Sequence, residues 1–271
     1  MTTERTFTAV HLGPVDLNSP TGTVRVSADP KLTAAMVVVR TKDDTGVSAD
    51  AVNATRFSNE SDGTLMVRVP EIRSTTQNTV RRSSNGNVIV TQTIGTVHAG
   101  QRITGLTIGS DGTMTFGAGS RVTLGDGTTI GSSEIEVLVF LPIPAALRLK
   151  TVSADLEARG HLAAVHFTSI SGDITGGDID QLTVSTTSGD VDVSRVSALL
   201  SVKSVSGDIE VNRYEGSDAQ VTTVSGDVEI TATARAAGRL QATSVSGDVD
   251  LRGSAALDVR ASTVSGRKRI R

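Results

Sequence analysis

The 271-residue chain contains no cysteine and no tryptophan, a single tyrosine and five phenylalanines. Without cysteine there are no disulfides, no Cys-ligated zinc and no thiol nucleophile. So few aromatics remove the usual stacking surfaces for sugars and nucleobases. Charge of one sign is also missing: the formal net charge is −3 and the pI about 5.8. Bulk electrostatics therefore gives no reason to expect nucleic acid or an anionic membrane as a partner. The longest apolar runs, residues 34–39 and 137–147 with two prolines inside the second, fall far short of the roughly 20 residues of a membrane span. The segment Met1-Thr-Thr-Glu-Arg leads into alternating residues with no apolar stretch, which predicts a cytoplasmic protein without an integral membrane segment.

What is abundant is β-branched. Val, Ile and Thr together supply 84 residues, side chains that suit pleated surfaces better than helices. Gly adds 27 more, and the apolar share is enough for a packed core rather than a disordered chain.

A repeat organises the second half. Ser-Gly-Asp recurs from Ser171, Ser188, Ser206, Ser225 and Ser246, preceded by Ser153-Ala154-Asp155 and followed by Ser265-Gly266-Arg267. The period is about 17–21 residues. Two residues before each serine stands a hydroxyl: Thr151, Ser169, Thr186, Ser204, Thr223, Ser244, Thr263. At four and six residues before it the chain is apolar (Val184 and Leu182, Val202 and Leu200), with polar residues between. This period-2 alternation is that of a strand with one buried face. Past the corner, Ile174, Val191, Ile209, Val228 and Val249 begin a second short strand facing the same core. One such unit cannot bury its own face, but units stacked at about 4.8 Å can. The fold expected is all-β, a parallel β-solenoid (a single-stranded β-helix or β-roll) roughly 34 Å long over seven corners. The left-handed hexapeptide pattern is absent, which favours a right-handed coil. Glycine is expected at the bend, with Asp accepting backbone N–H bonds inside the turn.

Stacking would align the charges. Asp155, Asp173, Asp190, Asp208, Asp227 and Asp248 form one column; Glu157, Asp192, Glu210, Glu229 and Asp250, interrupted by Thr175, form another. Like charges about 4.8 Å apart repel by roughly 0.9 kcal/mol in bulk water, so hydrogen bonds, screening or a cation should offset them. Calcium is one candidate, through Asp190, Asp192, Asp208, Glu210, Asp227, Glu229, Asp248 and Asp250, although the calcium-binding nonapeptide pattern is absent. No other cofactor is indicated. Catalysis by a carboxylate pair needs two unlike environments, and these carboxylates repeat in near-identical ones. In the last unit both columns change sign. Arg267 and Arg269 are expected to stack on Asp248 and Asp250 as a structural cap that charges the terminal edge.

The first half, residues 1–72, alternates like the repeats and reads as an N-terminal β segment of the same solenoid; 134–271 is the repeat solenoid with its basic end. Between them, 73–133 reads as a Gly/Thr-rich β insertion with turn signals at Asp111-Gly112 and Asp126-Gly127. Inside it, 85–100 carries no charged side chain and is the most aggregation-competent window of the chain. It loosely resembles bacterial signalling-amyloid motifs around Gln92–Gly95; an ordinary strand of the same stack, flanked by Arg81, Arg82 and Arg102, accounts for it better. Of the four histidines, only His161 and His166 lie close in sequence, a pairing more often structural than metal-binding.

The repeated Ser-Gly-Asp-Val/Ile with its hydroxyl and Val columns resembles a bacterial family of β-strand repeat proteins called "putative adhesin", or toastrack, domains. The resemblance covers 134–271 well and 8–72 in part. It implies a β-solenoid without known catalytic residues, with some relatives tied to cell-envelope stress. The function expected is a non-enzymatic scaffold or interaction module with an unidentified protein partner. The alternative is a carbohydrate-binding or carbohydrate-active β-helix protein using surface carboxylates.

Overall fold

The computed structural model describes residues 2–10, 13–72, 79–82, 88–91, 121–123, 129–131, 133–253 and 256–271. Among them the protein is nearly all β, its parallel coils stacked into a β-solenoid. Each coil contributes one strand before the Ser-Gly-Asp corner and one after it, so two strand columns face each other across the core. The pre-corner column runs Leu65–Arg68, Val15–Asn18, Ala146–Lys150, then 164–168, 181–185 and 199–203, then Asp218–Thr222, Gly238–Thr243 and Leu257–Ser262. The post-corner column runs Ile135–Leu141, Thr23–Ala28, then 155–159, 174–176 and 191–193, then Ile209–Tyr214, Val228–Ala232, Val249–Arg252 and Lys268–Ile270.

The alternation seen in the sequence is the alternation of burial. Leu182, Val184, Leu200 and Val202 lie at 0–1% exposure, while Ser185 and Lys203 between the coils' core positions face solvent. A narrow coil filled by Val, Leu, Ile and Ala leaves little room for rings; Phe167 and Tyr214 are the large exceptions and both are fully buried. Burial pushes the Tyr214 phenol up to about 12.

The chain order of the N-terminal coils is not their spatial order. Val15–Asn18 lies between Leu65–Arg68 and Ala146–Lys150, and Thr23–Ala28 lies between Ile135–Leu141 and 155–159. The first coil is thus slotted between the level of 65–68 and 135–141 and the repeat array. Beyond that level the parallel stacking stops. Met36–Thr41 pairs antiparallel with Ile135–Leu141, Thr3–Thr8 antiparallel with Met36–Thr41, and Arg56–Asn59 antiparallel with Leu65–Arg68. A short helix, Val47–Asn53, packs there with Ala49, Ala51 and Val52 buried. This end of the solenoid is closed, as repeat arrays require.

In the 73–133 segment, Thr79–Arg82 pairs with Val88–Thr91 and Arg121–Thr123 with Thr129–Gly131, each as a separate antiparallel pair. Val88–Thr91 is therefore a hairpin strand and not a member of the main stack, which corrects the expectation for that window. Gln92–Gly95, Asp111-Gly112, Asp126-Gly127 and Arg102 lie outside the described residues.

Candidate functional site

The corner is built from four columns that work together. In three successive corners the buried hydroxyl two residues before the serine accepts the backbone N–H three residues on: Ala154 to Thr151 Oγ1 at 2.6 Å, Gly172 to Ser169 Oγ at 2.7 Å, Gly189 to Thr186 Oγ1 at 3.1 Å. This satisfies an amide that the turn would otherwise bury unpaired. The glycine is required for a reason the spacing did not reveal. A Cβ on Gly172, Gly189, Gly226, Gly247 or Gly266 would come within 2.0–2.2 Å of the carbonyl oxygen one coil below. Close stacking of coils, more than the bend itself, excludes a side chain there.

The aspartates form a ladder. Asp155 Oδ1 accepts the Asp173 amide N–H at 3.0 Å, Asp173 that of Asp190 at 2.9 Å, and Asp190 that of Asp208 at 2.8 Å. Asp208 then accepts from Asp227 at 2.8 Å, Asp227 from Asp248 at 2.7 Å, and Asp248 from Arg267 at 2.7 Å. Each carboxylate thus holds the next coil, not its own turn as expected. Hydrogen bonds to a charged group contribute about 1.5–3 kcal/mol, against roughly 0.9 kcal/mol of repulsion between neighbours in water, so the ladder is net favourable. At its first step Asp155 is pushed above the usual carboxylate range by burial, with the Asp173 amide opposing.

The second acidic column is in register, with Asp192 opposite Glu210, Glu210 opposite Glu229, and Glu229 opposite Asp250. Arg252 Nη2 lies 2.8 Å from Glu229 and 3.8 Å from Asp250. Among the described residues no group of three or more His, Asp or Glu is placed to hold a metal ion. At the column's end Arg269 is opposite Asp250, while Arg267 meets Asp248 through its amide.

Two features escaped the sequence reading. The residue before each corner serine is an exposed aliphatic in most coils: Ile170, Val205, Val224, Val245 and Val264 are 43–80% exposed. They were legible as a column but were hidden beside the stronger serine signal. The other is a charge network at the opposite bend of the coil. Glu215, its side chain only 6% exposed, lies 2.9 Å from Arg195, 3.2 Å from Arg213 and 3.7 Å from Arg235. The hydrogen bond from Arg195 holds its carboxyl below the usual range and raises Arg195 in turn. Asp178 lies 3.7 Å from Arg195. Asp180 accepts from the Ser197 hydroxyl and lies 3.2 Å from His161 Nε2. In a serine nucleophile site the imidazole stands between hydroxyl and carboxylate. Here the carboxylate stands in the middle, between the Ser197 hydroxyl and the His161 imidazole.

Where the insertion leaves the solenoid, Ser133 donates from both its amide and its hydroxyl to Asp43, and Ser48 Oγ donates to the Ser133 carbonyl at 2.7 Å. Glu136 is held by Arg40 at 2.6 Å and by Arg25, which also reaches Glu157 at 3.0 Å.

Stacked Ser-Gly-Asp corners with a carboxylate-to-amide ladder define a parallel β-solenoid. The chain belongs to the Toastrack DUF4097 family, whose sequence profile matches residues 31–271. A solved structure from Bacteroides fragilis, described as a "putative adhesin", is similar with a TM-score of 0.52 at 13% identity, over 100% of this chain and 96% of that one. A "putative lipid binding protein" from Parabacteroides distasonis gives 0.42 at 14% identity, over 99% and 95%. At these identities the likeness to the first shows the fold alone, and the second carries no argument. No curated protein matches. No helix among the described residues is long and apolar enough to cross a membrane.

Proposed function

We propose that this protein is a non-enzymatic scaffold whose solenoid presents residues 73–133 to a protein partner. The supporting observation is where that segment is spliced. Leu65–Arg68 and Ile135–Leu141 occupy successive places in the pre-corner and post-corner columns, so residues 70–134 stand where every other coil has a short corner. Their exit is clamped at Ser133 by Asp43 and Ser48. A long excursion at a fixed point of a rigid frame is the usual arrangement of a recognition loop. Arg267 and Arg269 serve, in the same reading, as the cap of the acidic columns. No observation favours the carbohydrate-active alternative.

The test is an affinity pull-down from the native cells with the intact chain and with a chain whose 73–133 segment is replaced by a Ser-Gly-Asp corner. A partner recovered only with the intact chain supports the reading. Equal recovery with both, at equal melting temperature, removes the insertion from it.

A further inference from the structure

We infer that the aliphatic column beside the Ser-Gly-Asp corners is a docking ridge for a cationic amphipathic helix of a partner protein. Single apolar residues at a surface are ordinary, but a row of them in successive coils is not. Val205, Val224 and Val245 stand one coil apart, each 43–49% exposed, and Val264 follows at 80%. Thr187 takes the aliphatic's place in the coil before them, so the uninterrupted row starts at Val205. Its spacing is fixed by the backbone. The Val205 carbonyl accepts the Ser225 amide at 2.8 Å, Val224 accepts from Ser246 at 2.8 Å, and Val245 accepts from Ser265 at 2.8 Å. Ser206, Ser225 and Ser246 bridge in parallel at the same levels. A row held in this way has little freedom left to lose on binding.

The charges beside the ridge decide what can cover it. Three residues past each valine stands an exposed ladder aspartate: Asp208, Asp227 and Asp248. Each gives Oδ1 to the amide of the next coil, and among the described residues no cation pairs with these carboxylates. On the other flank Lys203, Thr222 and Thr243 carry no acid. A second copy using the same ridge would set one acidic column against another, which is disfavoured. An apolar stripe edged on one side by Lys or Arg is complementary. The spacing selects a helix. An amphipathic α-helix laid along the coil axis advances about 5.4 Å per turn, close to the roughly 4.8 Å between coils, so one aliphatic per turn meets one valine per coil. An extended strand on the same line repeats a face only about every 6.6 Å and falls out of step within two coils. The ridge shares no residue with 73–133 and belongs to later coils than its splice point, so this site stands without that segment.

The experiment titrates the intact protein into a dilute fluorescein-labelled peptide of repeated Leu-Lys-Lys-Leu-Leu-Lys-Leu, an amphipathic helix former, read by fluorescence anisotropy. Saturable, salt-weakened binding is expected, with none for the peptide carrying Glu in place of Lys. Repeated Leu-Lys-Leu-Lys-Leu-Lys-Leu has the same composition at strand period and should bind about tenfold more weakly. Val205→Ser, Val224→Ser and Val245→Ser together should weaken the helical probe by about tenfold or more. Asp208→Asn, Asp227→Asn and Asp248→Asn together keep an oxygen for each amide, remove the charge, and should weaken it by about tenfold. Folding of each variant is checked by its melting curve; the valines are exposed, so the serine variant and the peptides decide the matter if the asparagine variant does not fold. Absence of binding overturns the proposal. Unchanged binding by the serine variant overturns it as charge attraction alone, and unchanged binding by the asparagine variant overturns it as unselective apolar contact. Equal binding of the alternating peptide overturns the helical occupant.

Discussion

The two edges of the coil solve the same problem, returning the chain, in opposite ways. At the Ser-Gly-Asp edge five successive turns use the same three residues, and each is tied to its copy one coil away: glycine under carbonyl, carboxylate to amide. At the other edge the return varies, the register shifts between Ala158 and His161, Ile179 and Gln181, and Val211 and Tyr214, and unlike residues meet. There unlike groups meet across coils: Arg195 pairs with the opposite charge of Glu215, and His161 Nε2 lies against the Asp180 carboxylate. A strictly repeated edge can hold only groups that tolerate their own kind as neighbours. A variable edge is free to be complementary.

That contrast can be broken most forcefully at the glycines. Gly226→Ala puts a Cβ 2.2 Å from the Gly207 carbonyl oxygen and should cost about 3 kcal/mol in urea unfolding. Gly253→Ala, whose Cβ would meet Val259 Cγ2 at 3.4 Å and the Arg271 carbonyl oxygen at 3.9 Å, both ordinary contacts, should be close to neutral. Equal losses would show that the repeated edge is not held by close stacking.

Next come the hydroxyls. Thr186→Val removes the acceptor of the buried Gly189 amide and should cost about 1–3 kcal/mol. Thr223 Oγ1 is buried with no partner, so Thr223→Val should cost nothing or be slightly stabilising. Chemical denaturation of the pair checks this.

Acid separates the two edges by sign. Glu215 is depressed by Arg195, so its contribution is complete above the ordinary glutamate range and disappears as pH falls through the depressed folded value. Glu215→Gln should therefore lower the melting temperature at pH 7 and flatten its fall at low pH. Asp155 is raised by burial, so its ionised form opposes folding at pH 7, and the opposition is relieved as pH falls through the raised folded value. Asp155→Asn, which keeps the oxygen for the Asp173 amide, should hold or raise the melting temperature at pH 7. The smallest effect is expected at Arg252, which like its nearer partner Glu229 is about half exposed: Arg252→Ala should cost less than about 1 kcal/mol.

Much of the architecture was legible because the repeat is in the chain itself. The corner, the two strands and the charge columns follow from residues at a fixed spacing. The direction of the carboxylate bonds was not legible, because a turn aspartate can accept from its own turn or from the next coil, and only the stacking decides. The network around Glu215 left a faint trace, opposite charges about one period apart at Arg195 and Glu215, but the irregular return lengths blurred it. The exposed aliphatics of the corner were visible and were outweighed by the serines beside them.

By itself the sequence determined the strand period, the all-β class and the family, since alternation and repetition act through neighbours along the chain. Only the tertiary structure decided where Val15–Asn18 and Thr23–Ala28 enter the stack, why the corner residue must be glycine, and which end of the solenoid is closed. Those depend on which strand edge is free to be paired and on how near one coil lies to the next, and neither distance is written in a linear spacing.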